Sequence, residues 1–353
     1  MVTNLDDQLY DIDHIIGGPC GSQTLLYQAN LKTDRDEDML VAIRVYAHRF
    51  PDFHAAARKL LEAAFPRWSM VDHPNLAPFL GIVDKGFLQP SVVTSYYTKG
   101  TLWRHLLRQP KMTLSQDQIA ERLFWCLEIA RAIEYLHGLD PPIIHSDIRC
   151  ANVFMEDAGH IRVAEYGILM TMPADVLDHV WAPRPAGHAH YRWMAPELFG
   201  NNRPPGEFDP PMGYSMATDV WAFGMTVLEI FTAKSPYAQE VTDRTGTHPQ
   251  ADGDIQVYSL IRKGILPPLS GYLRDTPAMR DLLLRCWSKN PSKRPAIPEV
   301  RRVLERLNEI RPINHAPPPA ESLLSMAIRG VMGLYAKLRS TYRLLRLLLS
   351  GIF

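Results

Sequence analysis

The hydrophobic pattern changes at about residue 100, and this change constrains the fold more than any other feature of the chain. Upstream, short strand-like runs such as residues 40–43 and 91–94 surround one helical stretch near residues 54–65. Downstream, apolar residues recur at three- and four-residue steps over long segments, most clearly in residues 116–136. The pattern predicts an α+β fold in which a small sheet-rich part precedes a larger, mainly helical part.

Composition excludes several classes of protein. The 353 residues are 46% hydrophobic, which is enough for a sizeable core. The 38 basic and 38 acidic side chains balance, whereas a protein that coats nucleic acid or an anionic membrane needs an excess of Lys and Arg. We therefore expect no nucleic-acid partner. The four cysteines have neither zinc-finger spacing nor the density of a disulfide framework.

The sequence contains no targeting signal that we recognise. Its first residues lack the basic segment followed by an apolar one that a secretory signal needs. No run approaches the ~18 to 20 uncharged apolar residues that span a bilayer. The expectation is a cytoplasmic protein.

Two short motifs contain the residue types that phosphate chemistry needs. Gly17, Gly18 and Gly21 lie between two strand-like runs, where glycines let backbone N–H groups approach a phosphate, although an ordinary hairpin turn has the same composition. Residues 145–152 (HSDIRCAN) place a carboxylate and an amide five residues apart. This spacing suits a loop in which Asp147 accepts a hydroxyl proton while Asn152 and a further carboxylate hold a metal. Taken alone, the motif is also compatible with a surface loop.

Further motifs follow one another in a fixed order. They are VAIR (41–44), EYG (165–167), WMAPE (193–197), DVWAFG (219–224), CW (286–287) and NPSKRP (290–295). Together with residues 145–152, they resemble the V-A-I-K, H-R-D-L-x-x-x-N, D-F-G, A-P-E and D-V-W-S-F-G elements of eukaryotic protein kinases. The resemblance covers about residues 10–311, and its details are similar to those of the tyrosine-kinase-like type.

The resemblance implies a two-lobed, protein-kinase-like fold. A small β-rich N-lobe would span about residues 10–97 and a large α-helical C-lobe about residues 98–311, with ATP and Mg²⁺ in the cleft between them. It also implies that Asp219 supports the catalytic loop and that Glu197 pairs with Arg294 inside the large lobe. A protein partner or a protein substrate would bind on the larger lobe.

The same resemblance assigns roles to individual residues. Asp147, Arg149 and Asn152 would be catalytic, and Asn152 and Glu165 would hold the metal. The residues expected to bind the nucleotide are Gly17, Gly18, Gly21, Ala42, Arg44, Thr94, Ser95 and Tyr96.

Four features depart from the kinase pattern. Arg44 replaces the strand lysine, and its longer, planar guanidinium is not equivalent to an ammonium group. Glu165 replaces the metal-binding aspartate of D-F-G: its carboxylate could still bind Mg²⁺, but the added methylene moves it by more than about 1 Å, and magnesium demands near-octahedral geometry. Ala64 stands where the helix glutamate that pairs with the lysine is expected, and nearby Glu62 would lie on the opposite helix face. The glycine loop contains Pro19 inside its turn.

Three functions stay open from the sequence. The first is a pseudokinase or strongly impaired kinase that acts as a binding and signalling module. The second is an active ATP-dependent serine/threonine protein kinase in which Arg44 and Glu165 substitute for Lys and Asp. The third, a small-molecule phosphotransferase, is disfavoured by the APE and DVWAFG motifs. Because phosphoryl transfer depends on positioning and charge stabilisation, the altered residues favour the first.

Regulation by phosphorylation of the activation loop is not expected. Ser146 replaces the arginine that grips a phosphorylated loop in the family, and Thr171 and Tyr191 are the only hydroxyl side chains between Gly167 and Ala195. The sequence predicts a loop whose conformation is set by packing rather than by a phosphate.

The two ends of the chain are predicted to lie outside the kinase-like domain. Residues 1–9 are expected to be a short lead, and residues 312–320 (PINHAPPPA) have the composition of a stiff linker. Residues 321–353 predict an amphipathic helix with five basic residues and one acidic residue. Such a helix makes peripheral contact with a membrane or binds in a partner's groove, and the alternative is that it folds back onto the large lobe.

Overall fold

An antiparallel sheet of five strands forms the N-terminal part of the fold. In this computed structural model, which describes residues 4–14, 25–33, 38–45, 54–84, 91–109, 113–167, 190–199, 213–238 and 253–309, the strand order is β1-β2-β3-β5-β4. The strands are β1 (Leu9–His14), β2 (Leu25–Leu31), β3 (Met39–Val45), β4 (Phe79–Val83) and β5 (Ser91–Ser95).

Strand β3 is the centre of this sheet. It pairs with β2 on one side and with β5 on the other, and its residues Val41, Ile43 and Val45 are fully buried. Because side chains alternate across a strand, this burial directs Ala42 and Arg44 to the opposite face. The register places Ala42 beside Thr94 of β5.

The sheet also includes residues upstream of β1. Leu5 is buried in the small core of the sheet, and its N–H donates to the carbonyl of Ile82 at 3.1 Å. Leu5 therefore packs with the core of the sheet although it lies upstream of the predicted start of the domain at residue 10, and that boundary stays a prediction.

Helix α1 (His54–Trp68) packs against β4 and joins the sheet to the rest of the molecule. Leu61, Phe65 and Trp68 recur at three- and four-residue steps and are almost completely buried. Trp68 stacks on Phe79 of β4 with a centroid distance of 4.7 Å.

The remainder of the fold is mainly helical. Its helices are α2 (Leu102–Arg108), α3 (Gln116–His137), α4 (Met216–Thr232), α5 (Gly253–Arg262), α6 (Gly271–Asp275), α7 (Pro277–Cys286) and α8 (Ile297–Glu309), and a short hairpin of β6 (Val153–Met155) and β7 (Ile161–Val163) lies between α3 and α4. Ser115 and Ser215 form capping boxes that begin α3 and α4. Helix α4 is buried along most of its length and contacts α3, α6 and α7, while α8 packs on α3.

The predicted two-lobed α+β fold is confirmed. A small apolar cluster fills the sheet, and a large one extends from α1 through α3 and α4 to α8. Among the described residues, no helix is long and apolar enough to cross a membrane. The predicted linker and basic tail, residues 312–353, lie outside the described residues.

Candidate active site

One buried carboxylate in α4 anchors the backbone of the loop that contains Asp147. Asp219, in the first turn of α4, accepts hydrogen bonds from the backbone N–H groups of His145 (2.8 Å) and Ser146 (2.9 Å). The ring of His137 bonds to the same carboxylate at 2.8 Å. These bonds stabilise the left-handed backbone of Ser146, whose φ is +70°. Asp219 therefore does what the kinase resemblance implies.

Asp147 lies at the centre of a second group of contacts. Its carboxylate accepts a 2.6 Å hydrogen bond from Nδ2 of Asn152 and pairs with Nε of Arg149 at 3.1 Å. Nδ2 of Asn152 also donates to the backbone carbonyl of Asp147 at 2.9 Å. The structure thus brings the three residues predicted to be catalytic into one cluster, with the carboxylate of Asp147 fixed by two donors.

Asn152 retains an acceptor that has no protein partner. Its Oδ1 atom is buried and makes no hydrogen bond in the structure, while the residue is only 1% exposed. Buried polar atoms are nearly always satisfied, so an unpaired oxygen beside a carboxylate suits a cation. Asn152 and the carboxylates near it would hold Mg²⁺ if the ion binds. Among the described residues there is no group of three acidic, His or Cys side chains that forms a metal site by itself.

Glu165 contacts Arg44 rather than pointing freely into the cleft. The distance between Oε1 of Glu165 and Nε of Arg44 is 2.8 Å, and the two side chains are only 13% and 8% exposed. The pair joins β3 of the small lobe to the segment after β7, across the floor of the predicted nucleotide cleft. The residue predicted to bind phosphates and the residue predicted to bind metal are therefore direct partners of one another.

The neighbour of Glu165 explains its orientation. Tyr166 is completely buried, donates from its hydroxyl to the carbonyl of Ala77 at 2.9 Å, and packs edge-on against Phe79. With Tyr166 anchored to Ala77 and Phe79 at the start of β4, Glu165 takes a left-handed backbone conformation (φ +66°) and faces β3. Burial and the long reach of both side chains bring the charges together.

Helix α1 offers no carboxylate to Arg44. Its only acidic residue, Glu62, has a 45% exposed side chain and pairs with Arg58 one turn earlier at 3.0 Å. Ala64, where the resemblance places a glutamate, packs against the large core. The ion pair between strand and helix that is expected in a kinase is replaced by one between the strand and residue 165.

The hinge region lies between β5 and α2. Thr94 is paired with Ala42 in the sheet, and the N–H of Tyr96 donates to the carbonyl of Leu40 at 3.2 Å. The ring of Tyr97 stacks on Phe154 of β6, with centroids 5.3 Å apart. The roles of Ala42, Thr94, Ser95 and Tyr96 in adenine binding stay predictions. Gly17, Gly18 and Gly21 lie outside the described residues.

Two residues near the site were missed by reasoning from the sequence. Phe154 lies two positions after Asn152, in β6, and stacks on Tyr97 below the hinge; because Asn152 ends a 3₁₀ turn, strand alternation does not relate the two positions. Glu229 of α4 is 2% exposed and accepts hydrogen bonds from the N–H of Cys150 (2.9 Å) and from the indole of Trp193 (3.1 Å). Burial raises the pKa of Glu229 to about 7. No spacing rule points to Glu229, because its partners are 79 and 36 residues away.

A second buried contact fixes the large lobe. Arg294 forms two hydrogen bonds to the carboxylate of Glu197, at 2.6 and 2.8 Å, and lies over the ring of Trp221. This is the pair implied by the resemblance, and its role is structural.

Comparison with known proteins assigns the family. The model of the protein tyrosine and serine/threonine kinase family matches residues 14–304. The chain belongs to this family. It is a member of the protein kinase superfamily of the tyrosine-kinase-like type.

Several curated kinases are similar to this kinase domain. Serine/threonine/tyrosine-protein kinase HT1 of Arabidopsis thaliana is 29% identical over 272 residues, which cover 76% of this chain and 61% of HT1. Serine/threonine-protein kinase TNNI3K of Mus musculus is 30% identical over 235 residues, covering 67% of this chain and 25% of the relative. Probable serine/threonine-protein kinase WNK6 of Oryza sativa is 28% identical over 215 residues, covering 61% of this chain and 41% of the relative. The chain spans less than two thirds of each of these relatives.

Proposed function

We propose that this kinase domain is a pseudokinase or a strongly impaired kinase, and that it acts mainly by binding a protein partner in signalling. The observation that carries the proposal is the buried ion pair between Arg44 and Glu165, 2.8 Å apart. The pair involves both charged groups that the family pattern reserves for the nucleotide and its metal.

The first consequence concerns the phosphates. In the expected arrangement, a strand cation holds the α- and β-phosphates. Here Nε of Arg44 is already bonded to a carboxylate in a site sheltered from water, where such an interaction is strong. A phosphate group must compete with Glu165 for the positive charge of Arg44.

The second consequence concerns the metal. Mg²⁺ needs oxygen ligands in near-octahedral geometry at about 2.0–2.1 Å. Glu165 is one methylene longer than aspartate and shares its carboxylate with Arg44. An error of about 1 Å in positioning costs on the order of 10²-fold in rate. Oδ1 of Asn152 provides one ligand, but the second expected ligand, the carboxylate of Glu165, is already paired with Arg44.

A second candidate function is an active ATP-dependent serine/threonine kinase. It is favoured by the cluster of Asp147, Arg149 and Asn152, in which the expected base is held by two donors. The names of the relatives, which are serine/threonine- and serine/threonine/tyrosine-protein kinases, support a protein rather than a small molecule as the partner.

Nucleotide binding and phosphate transfer distinguish these functions. Thermal shift of the full chain with ATP and Mg²⁺ measures binding, and radiolabel transfer to itself and to a general protein substrate measures catalysis, with Asp147→Asn as the control. We expect binding without transfer or with trace transfer. Robust transfer by the wild type that is lost in Asp147→Asn would refute the proposal.

Reversal of the altered residues tests the cause. The triple variant Ala64→Glu, Arg44→Lys, Glu165→Asp restores the family pattern, and we expect it to raise transfer at least ~10-fold, within the range of one well-placed electrostatic contributor. The matched control is Arg58→Lys, Glu62→Asp, which makes the same exchanges in the exposed pair on α1. Equal transfer by the triple variant and the wild type would show that the Arg44–Glu165 pair does not limit catalysis.

A cytoplasmic location and peripheral membrane contact through residues 321–353 stay part of the proposal. The composition of the tail supports them. Flotation of the full chain with anionic liposomes, against a chain truncated after Pro319, tests the contact, and equal flotation would exclude it.

A further inference from the structure

The segment before β1 contacts the opposite edge of the small sheet. Residues 4–8, which we call the N-terminal strap, lie upstream of the part of the chain that the family model matches, residues 14–304. Asn4 forms a parallel bridge with Ile82 of β4, and the N–H of Leu5 donates to the carbonyl of Ile82 at 3.1 Å. Because β1 and β4 are the two outermost strands of the sheet, the strap closes the sheet between them.

An apolar side chain anchors the strap. Leu5 is 3% exposed and belongs to the small core, together with Val83 of β4 and Val93 of β5. After Leu5 the chain turns back to the sheet. The N–H of Gln8 donates to the carbonyl of Leu5 at 3.0 Å, and the carbonyl of Gln8 accepts from the N–H of Lys32 at 2.8 Å. The strap is therefore packed as part of the sheet.

Polar contacts continue from the strap to helix α1. Oδ1 of Asp6 accepts a 2.8 Å hydrogen bond from the N–H of Asp84, the residue after β4. The carboxylate of Asp84 is 10% exposed and forms an ion pair with Nη1 of Arg58 in α1. Within the strap, Asp6 is held by Asn4, whose Nδ2 donates to Oδ2 of Asp6 at 2.9 Å. Asp6, Asp84 and Arg58 thus form one chain of contacts from the strap to α1.

This chain of contacts reaches α1 one turn before its apolar face. The buried apolar side chains of α1 begin at Leu61, whereas Arg58 lies one turn earlier. The strand cation Arg44 is bonded to Glu165 instead of to a carboxylate of α1. The ion pair between Arg58 and Asp84 therefore takes the place of a strand-to-helix ion pair in fixing α1 to the sheet.

Helix α1 in turn contacts the segment after β7. A Cβ at Gly167 would meet Nε1 of Trp68 at 3.2 Å, so the end of α1 lies directly against this segment. Trp68 also stacks on Phe79, and Phe79 packs edge-on against Tyr166. A displacement of α1 would therefore also displace residues 165–167, which belong to the candidate active site.

We propose that the N-terminal strap positions α1 through Asp6 and Asp84, and that its release loosens both α1 and residues 165–167. The link to α1 is polar and passes through Arg58, whose side chain is 52% exposed. Such a link opens without disrupting the large apolar core. The position of α1 does not depend on phosphate transfer, so failure of this proposal would leave the proposed function intact.

Hydrogen–deuterium exchange of the full chain tests the strap. Asp6→Ala removes the acceptor of the Asp84 N–H group, and we expect amide exchange in α1 and in residues 165–167 to become at least ~10-fold faster, the order of one hydrogen bond to a charged group. Exchange in α3 and α8, which belong to the large core, should stay unchanged. The matched control is Asp13→Ala, which removes an exposed carboxylate from β1. Unchanged exchange of α1 in Asp6→Ala would overturn the proposal.

Two variants of Arg58 show whether the effect passes through Asp84. Arg58→Gln removes the charge that pairs with Asp84 and should speed exchange in α1, whereas Arg58→Lys keeps a positive charge and should keep α1 protected. If Asp6→Ala speeds exchange throughout the domain, these two variants provide the test, because the side chain of Arg58 is half-exposed and lies outside the core. Combining Asp6→Ala with Arg58→Gln should give no further increase, because both interrupt the same chain of contacts. A further increase of ~10-fold in the double variant, or equal exchange in Arg58→Gln and Arg58→Lys, would refute the role of this chain.

Discussion

Substitution of the Arg44–Glu165 pair provides the most direct measurement of its strength. Arg44→Met or Glu165→Gln alone leaves a charge that is buried and has lost this partner, and such changes cost about 3–5 kcal/mol in protein interiors. Because the side chains are 8% and 13% exposed, we expect the lower end, about 3 kcal/mol for each variant. The double variant removes both charges and should cost much less than the sum, with a coupling energy of at least ~2 kcal/mol.

The assay is urea unfolding of the full chain, with equal m-values as the condition for comparing free energies. The control cycle is Arg58→Met with Glu62→Gln, an i,i+4 pair whose side chains are 52% and 45% exposed. Solvent screening limits such a pair to about 0.3–0.5 kcal/mol of coupling. If the Arg44 and Glu165 substitutions were additive within ~0.5 kcal/mol, the pair would contribute no stability. The argument that Arg44 and Glu165 bind each other in place of the phosphates and the metal would then fail.

Three further predictions concern the residues that support the site. Glu229 keeps its proton in the folded state up to about pH 7 but loses it near pH 4.5 when unfolded, so the free energy of unfolding should fall by about 3 kcal/mol as pH rises through this window. In unfolding measured at pH 5 and pH 7.5, Glu229→Gln should show a smaller fall than the wild type. Gly224→Ala places a Cβ 2.6 Å from Nε1 of Trp287, so it should cost about 1–3 kcal/mol and lower the melting temperature without changing helix content at low temperature. Asp219→Asn removes the charge that holds the N–H groups of His145 and Ser146, and faster amide exchange at these two positions, compared with α8, would show the loosened loop.

The parts of the fold that were predictable are those specified by local pattern. The strand-like runs at residues 40–43 and 91–94 became β3 and β5, because short runs of β-branched and other apolar residues are visible in a short window. The helix predicted over residues 116–136 is α3, which begins at a Ser115 capping box. The motif order likewise predicted the contacts of Asp219 with the catalytic loop and of Glu197 with Arg294.

The parts that were not predictable depend on contacts between distant positions. The sequence shows Arg44 and Glu165 as two separate departures from the kinase pattern, 121 positions apart, and no local rule states that they meet. Glu229 is one of two charged residues in α4 and Arg122 is one of six in α3, and a prediction would place such residues on a solvated face. Their burial follows from how α3 and α4 pack on their neighbours, which periodicity alone does not specify.

The departures at positions 44, 64 and 165 are best understood as one coupled change. Without a glutamate at position 64, a cation on β3 lacks its expected helix partner, and a buried cation without a counter-charge is costly. Arginine and glutamate are each longer than the residues they replace, and together they make a 2.8 Å contact across the cleft. Glu165→Asp alone would therefore shorten one side chain of the pair and leave the charge of Arg44 without a close carboxylate, because α1 would still lack a glutamate at position 64. Only the triple reversal restores both partners, so a single reversal that leaves transfer unchanged says nothing against the coupling.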